Sequence, residues 1–389
     1  MMIDQMLYQF ANVRQLEILE AVEKYGSARQ AAIALGIGKS TVCDHISAVK
    51  RKAAMQGYEP ESNLHNPVPD GLKLAGTSTY YNKDGKVTAQ WVKTKEDVKR
   101  QEEMVQEVIK AAMEELPRLA PVARPEHVNE KLCNVYTLTD SHVGMLAWHK
   151  EGGEDWDLEI AEKTLTECFE ALVDQSPRAK SCVIAQLGDF LHYDSLEAVT
   201  PTSKHIVDAD GRFGKMVQVA IRILRRLVDY ALHKHEHVTV LMAEGNHDMA
   251  SSVWLRAMFR ALYEKESRLT VIDSELPYYV KEHGKTMLCW HHGHLSKNDK
   301  LPLLFAAQFP QSWGRTVKRY VHVGHRHHVD IKEHSGMTVL QHSTLAARDA
   351  YASRGGWLSE RQVTGYTYHS EHGQVSSTTI TPEMMLAAA

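Results

Sequence analysis

Five short apolar segments of this chain are each followed at once by a cluster of histidine, aspartate or asparagine residues. Amphipathic helical patterns at 158–174 and 213–233 separate the first three segments. Alternation of this kind predicts an α/β domain whose loops gather at the strand ends, where such folds place ligands. The predicted strands are Asn134–Leu138, Cys182–Leu187, Val238–Met242, Met287–Trp290 and Tyr320–Val323.

The five clusters contain residue types that bind metals, and together they would bring at least seven nitrogen and oxygen donors into one pocket. In Asp140-Ser-His142, alternate residues of an extended segment would face the same side and could point at one metal or straddle two. The segment His325-Arg-His327 has the same spacing. Glycines beside the clusters would let the backbone turn sharply and approach closely.

The donor types narrow the choice of metal and substrate. Imidazole and carboxylate without thiolate favour Mn, Fe, Zn or Ni and disfavour a structural zinc finger. The charge of two divalent cations would exceed the combined negative charge of Asp140, Asp189 and a bridging hydroxide. The carboxylate of Asp189 has two oxygens and could bridge both cations. A net positive pocket of this kind favours a phosphoryl group, because two metals roughly 3.5–4 Å apart can activate hydroxide and clamp phosphoryl oxygens.

From about residue 131 to 345, the order of the clusters resembles the calcineurin-like metallophosphoesterase superfamily. This resemblance implies a four-layer αββα sandwich with a two-metal site at its edge. The family pattern DxH, GDxx(D/H), GNH(D/E), H and GHxH is found here as Asp140-Ser-His142, Gly188-Asp189-Phe-Leu-His192, Gly245-Asn246-His247-Asp248, His292 and Gly324-His325-Arg-His327.

The resemblance also implies a role for each residue. The first metal would be bound by Asp140, His142, Asp189 and His327, and the second by Asp189, Asn246, His292 and His325. His247 would act as general acid or phosphate-orienting group, with Asp248 holding its tautomer. His292 is preferred as ligand because a glycine follows it, as in the family pattern, and His291 and His294 remain alternatives.

The second cluster, Gly188-Asp189-Phe-Leu-His192, helps to predict the class of substrate. Protein phosphatases of the superfamily carry an aspartate followed by Arg-Gly where this chain has His192, and here that arginine is missing. A GDxxH block is similar to that of the double-strand-break-repair nucleases and of some phosphodiesterases. We therefore expect His192 and Arg326 to contact substrate, although for His192 a plain hydrogen bond near the site is an equal alternative.

Residues 27–52 resemble the helix-turn-helix of bacterial and phage regulators. Ala31 and Ala32 would pack under the turn made at Gly36, and residues 1–54 carry seven lysines and arginines against five acidic residues. The alternative is a small helical interaction or dimerisation unit. The candidate DNA-binding residues are Arg29, Lys39, Ser40, Thr41, His45, Lys50 and Arg51.

The domain organisation expected from the sequence has four parts: a helix-turn-helix domain at 1–56, a linker at 57–130, a metallophosphoesterase domain at 131–381 and a tail at 382–389. Inside the linker, 77–81 and 87–91 flank an Asp-Gly turn signal and predict a β-hairpin, and 95–116 predicts an amphipathic helix.

These observations predict a DNA nuclease that uses two divalent metal ions, Mn foremost. Phosphatase or cyclic-nucleotide phosphodiesterase activity is one alternative, and a non-catalytic DNA-binding regulator is another. DNA is the expected partner, with homodimer formation as a further expectation and no membrane. A net charge of -4, widely spaced cysteines and the lack of a signal-peptide pattern predict a cytoplasmic location in a bacterium or phage-infected cell.

Overall fold

A computed structural model describes residues 3–60, 64–65, 67–84, 87–101, 103–104, 106–107, 122–126, 128–201 and 203–386. The chain divides into two compact units, 1–107 and 108–389. The hairpin that the sequence assigned to a linker lies in the first unit. Of the helices that the structure describes, none has both the length and the apolar character needed to cross a membrane.

The first unit begins with a short 3-10 helix, Gln5–Phe10, followed by α1 (Val13–Tyr25), α2 (Ala28–Leu35) and α3 (Lys39–Met55). Ser27 caps α2 by accepting a hydrogen bond from the backbone N–H of Gln30, and Gly36 ends that helix with a positive φ. The apolar faces of the three helices form one core that includes Ile18, Val22, Ala31, Val42 and Val49. The helical segments predicted at the N-terminus are therefore present.

The predicted hairpin is present, and it is longer than expected. Its strands β1 (Leu72–Tyr81) and β2 (Val87–Glu96) pair antiparallel. The helix predicted to begin at residue 95 begins at 98, because β2 continues to Glu96. Gly85 of the predicted turn and residues 108–116 of the predicted helix lie outside the described residues.

The second unit contains two mixed sheets. The six-stranded sheet has the order β13-β12-β3-β4-β5-β6, and the five-stranded sheet has the order β10-β11-β9-β8-β7. Strands β3 to β6 are parallel to one another, as are β8, β9 and β11. The strands are β3 (Asn129–Leu138), β4 (Ala179–Gln186), β5 (His237–Met242), β6 (Leu269–Val271), β7 (Tyr279–His283), β8 (Thr286–His291), β9 (Lys318–Val323), β10 (Asp330–His334), β11 (Met337–Gln341), β12 (Val363–His369) and β13 (Gly373–Ile380).

Helices cover the outer faces of both sheets. Among the described residues, the α-helices of the second unit are α4 (His149–Gly152), α5 (Leu158–Gln175), α6 (Phe213–Lys234), α7 (Met249–Leu262), α8 (Leu301–Gln308), α9 (Pro310–Arg315), α10 (Ala350–Arg354) and α11 (Pro382–Leu386). Helices α5 and α6 pack on the six-stranded sheet, and α8 packs on the five-stranded sheet. The segment predicted as a tail therefore begins with the short helix α11.

Strand β8 shows how the layers are built. Alternate side chains of a strand point to opposite faces, so Leu288 and Trp290 face the other sheet while Met287 and Cys289 face α8. Leu288 and Trp290 share their core with Val183 of β4 and with other residues of the six-stranded sheet. The two sheets thus lie face to face between helical layers, and the predicted four-layer αββα sandwich is confirmed.

We predict that Leu288→Ala lowers the free energy of unfolding by about 2–5 kcal/mol, because it leaves a cavity between the two sheets. The matched control is Leu303→Ala on α8, whose side chain is 77% exposed and whose loss should change stability by less than about 0.5 kcal/mol. Urea unfolding followed by circular dichroism measures both. Equal effects of the two substitutions would contradict the proposed packing of the sheets.

Candidate metal centre

The five predicted strands are central strands of the two sheets, and the predicted ligands follow their carboxyl ends. Two groups of side chains offer ligand atoms that lie within 4.8 Å of one another. Asp140 belongs to both groups, whereas the sequence assigned the shared position to Asp189. The first group is Asp140, His142 and His327, and the second is Asp140, Asp189, His292 and His325.

Asn246 joins the second group through its side-chain oxygen. Its Oδ1 lies 3.2 Å from His292 Nε2. All seven residues that the sequence proposed as metal ligands therefore meet at one edge of the sandwich, although they come from stretches of chain separated by up to 187 positions.

The backbone at these residues is unusual. Among the described residues, six that are not glycine have a positive φ, and five of them are predicted ligands. Left-handed backbone is unfavourable for such residues and tends to occur at functional sites, where the surrounding structure enforces it. The five ligands are Asp140 (φ 51°), His142 (42°), Asp189 (49°), His325 (70°) and His327 (55°).

This conformation corrects the expectation that Asp140-Ser-His142 and His325-Arg-His327 are extended. Each segment turns into the left-handed region at both of its ligands, so the paired side chains do not converge by strand alternation. Hydrogen bonds to neighbouring loops hold the turned backbone. Thr344 Oγ1 donates to the carbonyl oxygen of Asp140 at 2.6 Å, and Ser359 Oγ donates to that of His327 at 2.6 Å.

Gly245 allows two of the loops to approach each other. A Cβ atom at this position would overlap the backbone and carboxylate of Asp189 and would lie 2.8 Å from Asp248 Oδ1. The φ of Gly245 is not positive, so the glycine is required for space and not for backbone conformation.

The carboxylates of Asp140 and Asp189 are buried from solvent, where a negative charge is stable only beside a positive charge. Burial alone would raise the pKa of Asp140, but the charges of His327 and His292 outweigh burial and lower it. Burial would lower the pKa of His292, yet Asp189 and Asp140 raise it to about 10. Buried carboxylates surrounded by imidazole nitrogens are a donor set that fits divalent cations of the first transition series.

The orientation of His292 distinguishes it from its two histidine neighbours. Its Nδ1 donates to the carbonyl oxygen of Leu187 at 2.8 Å, which leaves Nε2 directed at Asp189 Oδ2, 3.2 Å away. His291 instead donates from Nδ1 to the carbonyl oxygen of Pro277. His292 is the member of this cluster that takes part in a ligand group, whereas His291 and His294 take part in none within the described parts of the chain.

The environment of His247 differs from the prediction. Its Nδ1 lies 2.8 Å from the carbonyl oxygen of His192 and not beside the carboxylate of Asp248. Asp248 accepts hydrogen bonds at 2.7–3.2 Å from the backbone N–H groups of Asp189, Phe190, Leu191 and Gly245. The expectation that Asp248 holds the tautomer of His247 is therefore wrong, and Asp248 instead ties the loops after β4 and β5 together.

His192 and Arg326 lie beside the ligand groups in different environments. His192 is buried, and its Nδ1 lies 3.2 Å from His142 Nδ1. His142, His192 and His247 form a third group whose ligand-type atoms lie within 4.8 Å of one another. Arg326 is exposed on the wall of the cavity above the ligands.

A cavity of about 880 Å³ opens from the ligand groups, and its walls include residues that sequence reasoning did not select. They lie at 200, 205–208 and 344–361, in segments without a metal-ligand pattern, and the last of these segments includes the short helix α10. The sequence signal for these residues is weak, since they follow neither a metal-ligand spacing nor a strand periodicity. Ile206, Tyr351, Trp357 and Leu358 are the exposed apolar residues of this lining.

In the first unit, the candidate DNA-binding residues lie on two helices. Arg29 is exposed on α2, and Lys39, Ser40 and Thr41 are exposed at the start of α3. Lys50 and Arg51 are exposed about three turns further along α3. His45 is half-buried.

Several solved structures are similar to the chain. A predicted phosphoesterase from Streptococcus pneumoniae is 12% identical, with 65% of this chain and 91% of that chain covered and a TM-score of 0.30. An archaeal phosphodiesterase is 12% identical, with 64% and 99% covered and a TM-score of 0.33. Vps29 from Entamoeba histolytica in complex with Zn²⁺ is 14% identical, with 64% and 99% covered and a TM-score of 0.25.

No protein-family model matches the chain, and no curated protein does. Two of these structural neighbours are described as a predicted phosphoesterase and a phosphodiesterase.

We predict that Gly245→Ala abolishes the binding of divalent cations, because the added methyl group collides with Asp189. Gly314→Ala is the control, since no atom lies within 4 Å of the added Cβ. The measurement is the Mn²⁺ content of each purified variant after gel filtration, by atomic emission. Full metal content in Gly245→Ala would show that the loops after β4 and β5 do not meet around the cations.

Proposed function

We propose that this protein is a metal-dependent phosphodiesterase and that its substrate is DNA. The observation that carries the proposal is the pair of ligand groups that share Asp140, with the imidazole of His247 beside them. Neither group contains a sulfur ligand. Besides the two carboxylates, the groups offer four imidazole nitrogens and the amide oxygen of Asn246. Such a centre suits the hydrolysis of an anionic ester.

Asp140, His142 and His327 would hold one cation, and Asp140, Asp189, Asn246, His292 and His325 would hold the other. When bound, the cations supply activation of water and neutralisation of phosphoryl charge. The protein fixes the donors before any substrate arrives, because strained backbone and buried hydrogen bonds leave the side chains little freedom.

His247 is placed to move a proton. A carbonyl oxygen only accepts hydrogen bonds, so the contact with His192 requires a proton on Nδ1 of His247. In its doubly protonated form the imidazole can donate the Nε2 proton to the leaving oxygen, and the neutral ring that remains keeps its bond to His192. The backbone of His192, and not the side chain of Asp248, thereby sets the orientation of the acid.

A purely structural role for the metal domain is the competing hypothesis, and the backbone conformation argues against it. Left-handed non-glycine residues cost about 1–3 kcal/mol each, and five of them coincide with the ligands. A structural metal site has no need for a further histidine such as His247, which belongs to neither ligand group.

Two features of the first unit support DNA as the substrate. On α3, Ser40, Ser47 and Arg51 are spaced i, i+7 and i+11, so they share one exposed face. On the hairpin, the register places Tyr80, Trp91 and Lys93 on the same face, and both aromatic side chains are 62% exposed. Basic and aromatic side chains exposed together suit the backbone and bases of nucleic acid.

We predict that His247→Ala lowers kcat/KM on DNA by about 10²–10⁴-fold while the bound Mn²⁺ is unchanged, because His247 moves a proton without holding metal. His237→Ala, exposed at the opposite end of β5, is the control and should be neutral. A Mn²⁺-supplemented panel of plasmid, linear duplex, single strands, cyclic nucleotides and phosphopeptide, with Asp189→Ala as blank, measures the activity. Release of phosphate from phosphopeptide without cleavage of DNA would overturn the proposed substrate.

We also predict that Arg51→Ala weakens binding to duplex DNA and reduces the slope of log K against log salt by about 1, because one phosphate contact is lost. The control is Arg14→Ala, whose guanidinium pairs with Glu17 on α1 and should not contribute. Fluorescence anisotropy at several salt concentrations measures the slope. The same slope in wild type and Arg51→Ala would remove α3 from the DNA-binding surface.

A further inference from the structure

The cavity above the ligand groups has an apolar rim that the metal chemistry does not require. Four of its lining side chains are large, apolar and strongly exposed. Exposed apolar surface that borders a polar site is a feature of ligand-binding clefts. The four residues, which we call the apolar rim, are Ile206 (87% exposed), Tyr351 (69%), Trp357 (57%) and Leu358 (77%).

Part of the apolar rim is attached directly to a ligand loop. Tyr351 and Trp357 meet edge to face with ring centroids 5.2 Å apart, and the backbone N–H of Trp357 donates to the carbonyl oxygen of Ala352 at 3.1 Å. The segment then returns to the metal centre, where Ser359 Oγ donates to the carbonyl oxygen of His327. The position of the indole is thus linked to the position of a candidate ligand.

Ile206, the remaining residue of the apolar rim, lies on a segment that is attached to the loop after β3. Ile206 pairs with Val199 in an isolated β-bridge, and the Leu146 N–H donates to the carbonyl oxygen of Asp208 at 3.0 Å. Leu146 follows His142 by four positions. Apolar side chains therefore border the same cavity from two segments, each of which is hydrogen-bonded to a loop that carries a candidate metal ligand.

The chemistry of this surface points to one class of group. Ile206, Leu358 and the rings of Tyr351 and Trp357 offer contact area and an aromatic face, whereas the ligand groups nearby favour an anion. The exposed guanidinium of Arg326 lies on the same cavity wall and would also favour an anion. A flat ring joined to a phosphodiester by a sugar would meet both requirements, and stacking of this kind tolerates different bases.

We propose that the apolar rim is a subsite for the nucleobase next to the scissile phosphate, with Trp357 as its main stacking residue. The inference rests on the proposed phosphodiesterase function. It concerns the nucleobase of the substrate, which the metal ligands would not contact. Residues 206 and 351–358 would make the enzyme prefer nucleotide esters to simple phosphodiesters.

Two diesters with the same leaving group test the subsite: thymidine 5′-(4-nitrophenyl phosphate) and methyl 4-nitrophenyl phosphate. Wild type should prefer the thymidine ester, and Trp357→Ala should lower kcat/KM for that ester by about 10–100-fold while hydrolysis of the methyl ester stays within about twofold. Trp148→Ala is the control, because Trp148 is also exposed but does not line the cavity. An equal loss on both esters would overturn the subsite.

A binding experiment separates failure of the subsite from failure of the proposed function. If wild type hydrolyses neither ester, the phosphodiesterase proposal fails, and saturation-transfer NMR with thymidine on the metal-free protein decides the subsite. Saturation transfer to the base that is lost in Trp357→Ala and kept in Trp148→Ala supports the subsite. Equal transfer in wild type and Trp357→Ala, or none in wild type, overturns it.

Discussion

The burial of two carboxylates, Asp140 and Asp189, is the constraint on which the candidate site depends. Both are at most 2% exposed, and charges so placed are tolerated only with partners. Asp140 receives hydrogen bonds from Thr139 Oγ1 and the backbone N–H of His325, and Asp189 receives one from the backbone N–H of His247. Asp189 and Asp140 together raise the pKa of the buried His292 imidazole to about 10, so their negative charge favours a positive charge at this position.

The alternation of strands and helices predicted an α/β domain and the meeting of the ligands, because both depend on short-range patterns, whereas the four-layer sandwich was expected from the family resemblance. Each central strand is apolar and ends at a metal-binding cluster, and parallel strands bring such ends to one edge. The sequence did not predict the left-handed backbone at Asp140 or His327, because Thr344 and Ser359, which hold these turns, lie far along the chain. The partner of His247 was missed for the same reason, since a backbone carbonyl leaves no sequence signal.

The apolar rim illustrates the same limit. Ile206 and Trp357 stand in loops without periodicity, and their common cavity exists only after residues 199–209 and 344–361 return to the ligand loops. The segments that carry the apolar rim are hydrogen-bonded to the loops that carry the candidate ligands. A ligand such as His327 and a stacking residue such as Trp357 are positioned together, which links the recognition of substrate to the centre that would cleave it.

The most direct test of the account is an anomalous difference map from crystals grown with Mn²⁺. The account predicts two peaks roughly 3.5–4 Å apart. One should lie against His142 and His327, and the other against Asn246, His292 and His325, with the carboxylates between them. A single peak, or density confined to the group of His142, His192 and His247, would contradict the proposed two-metal centre.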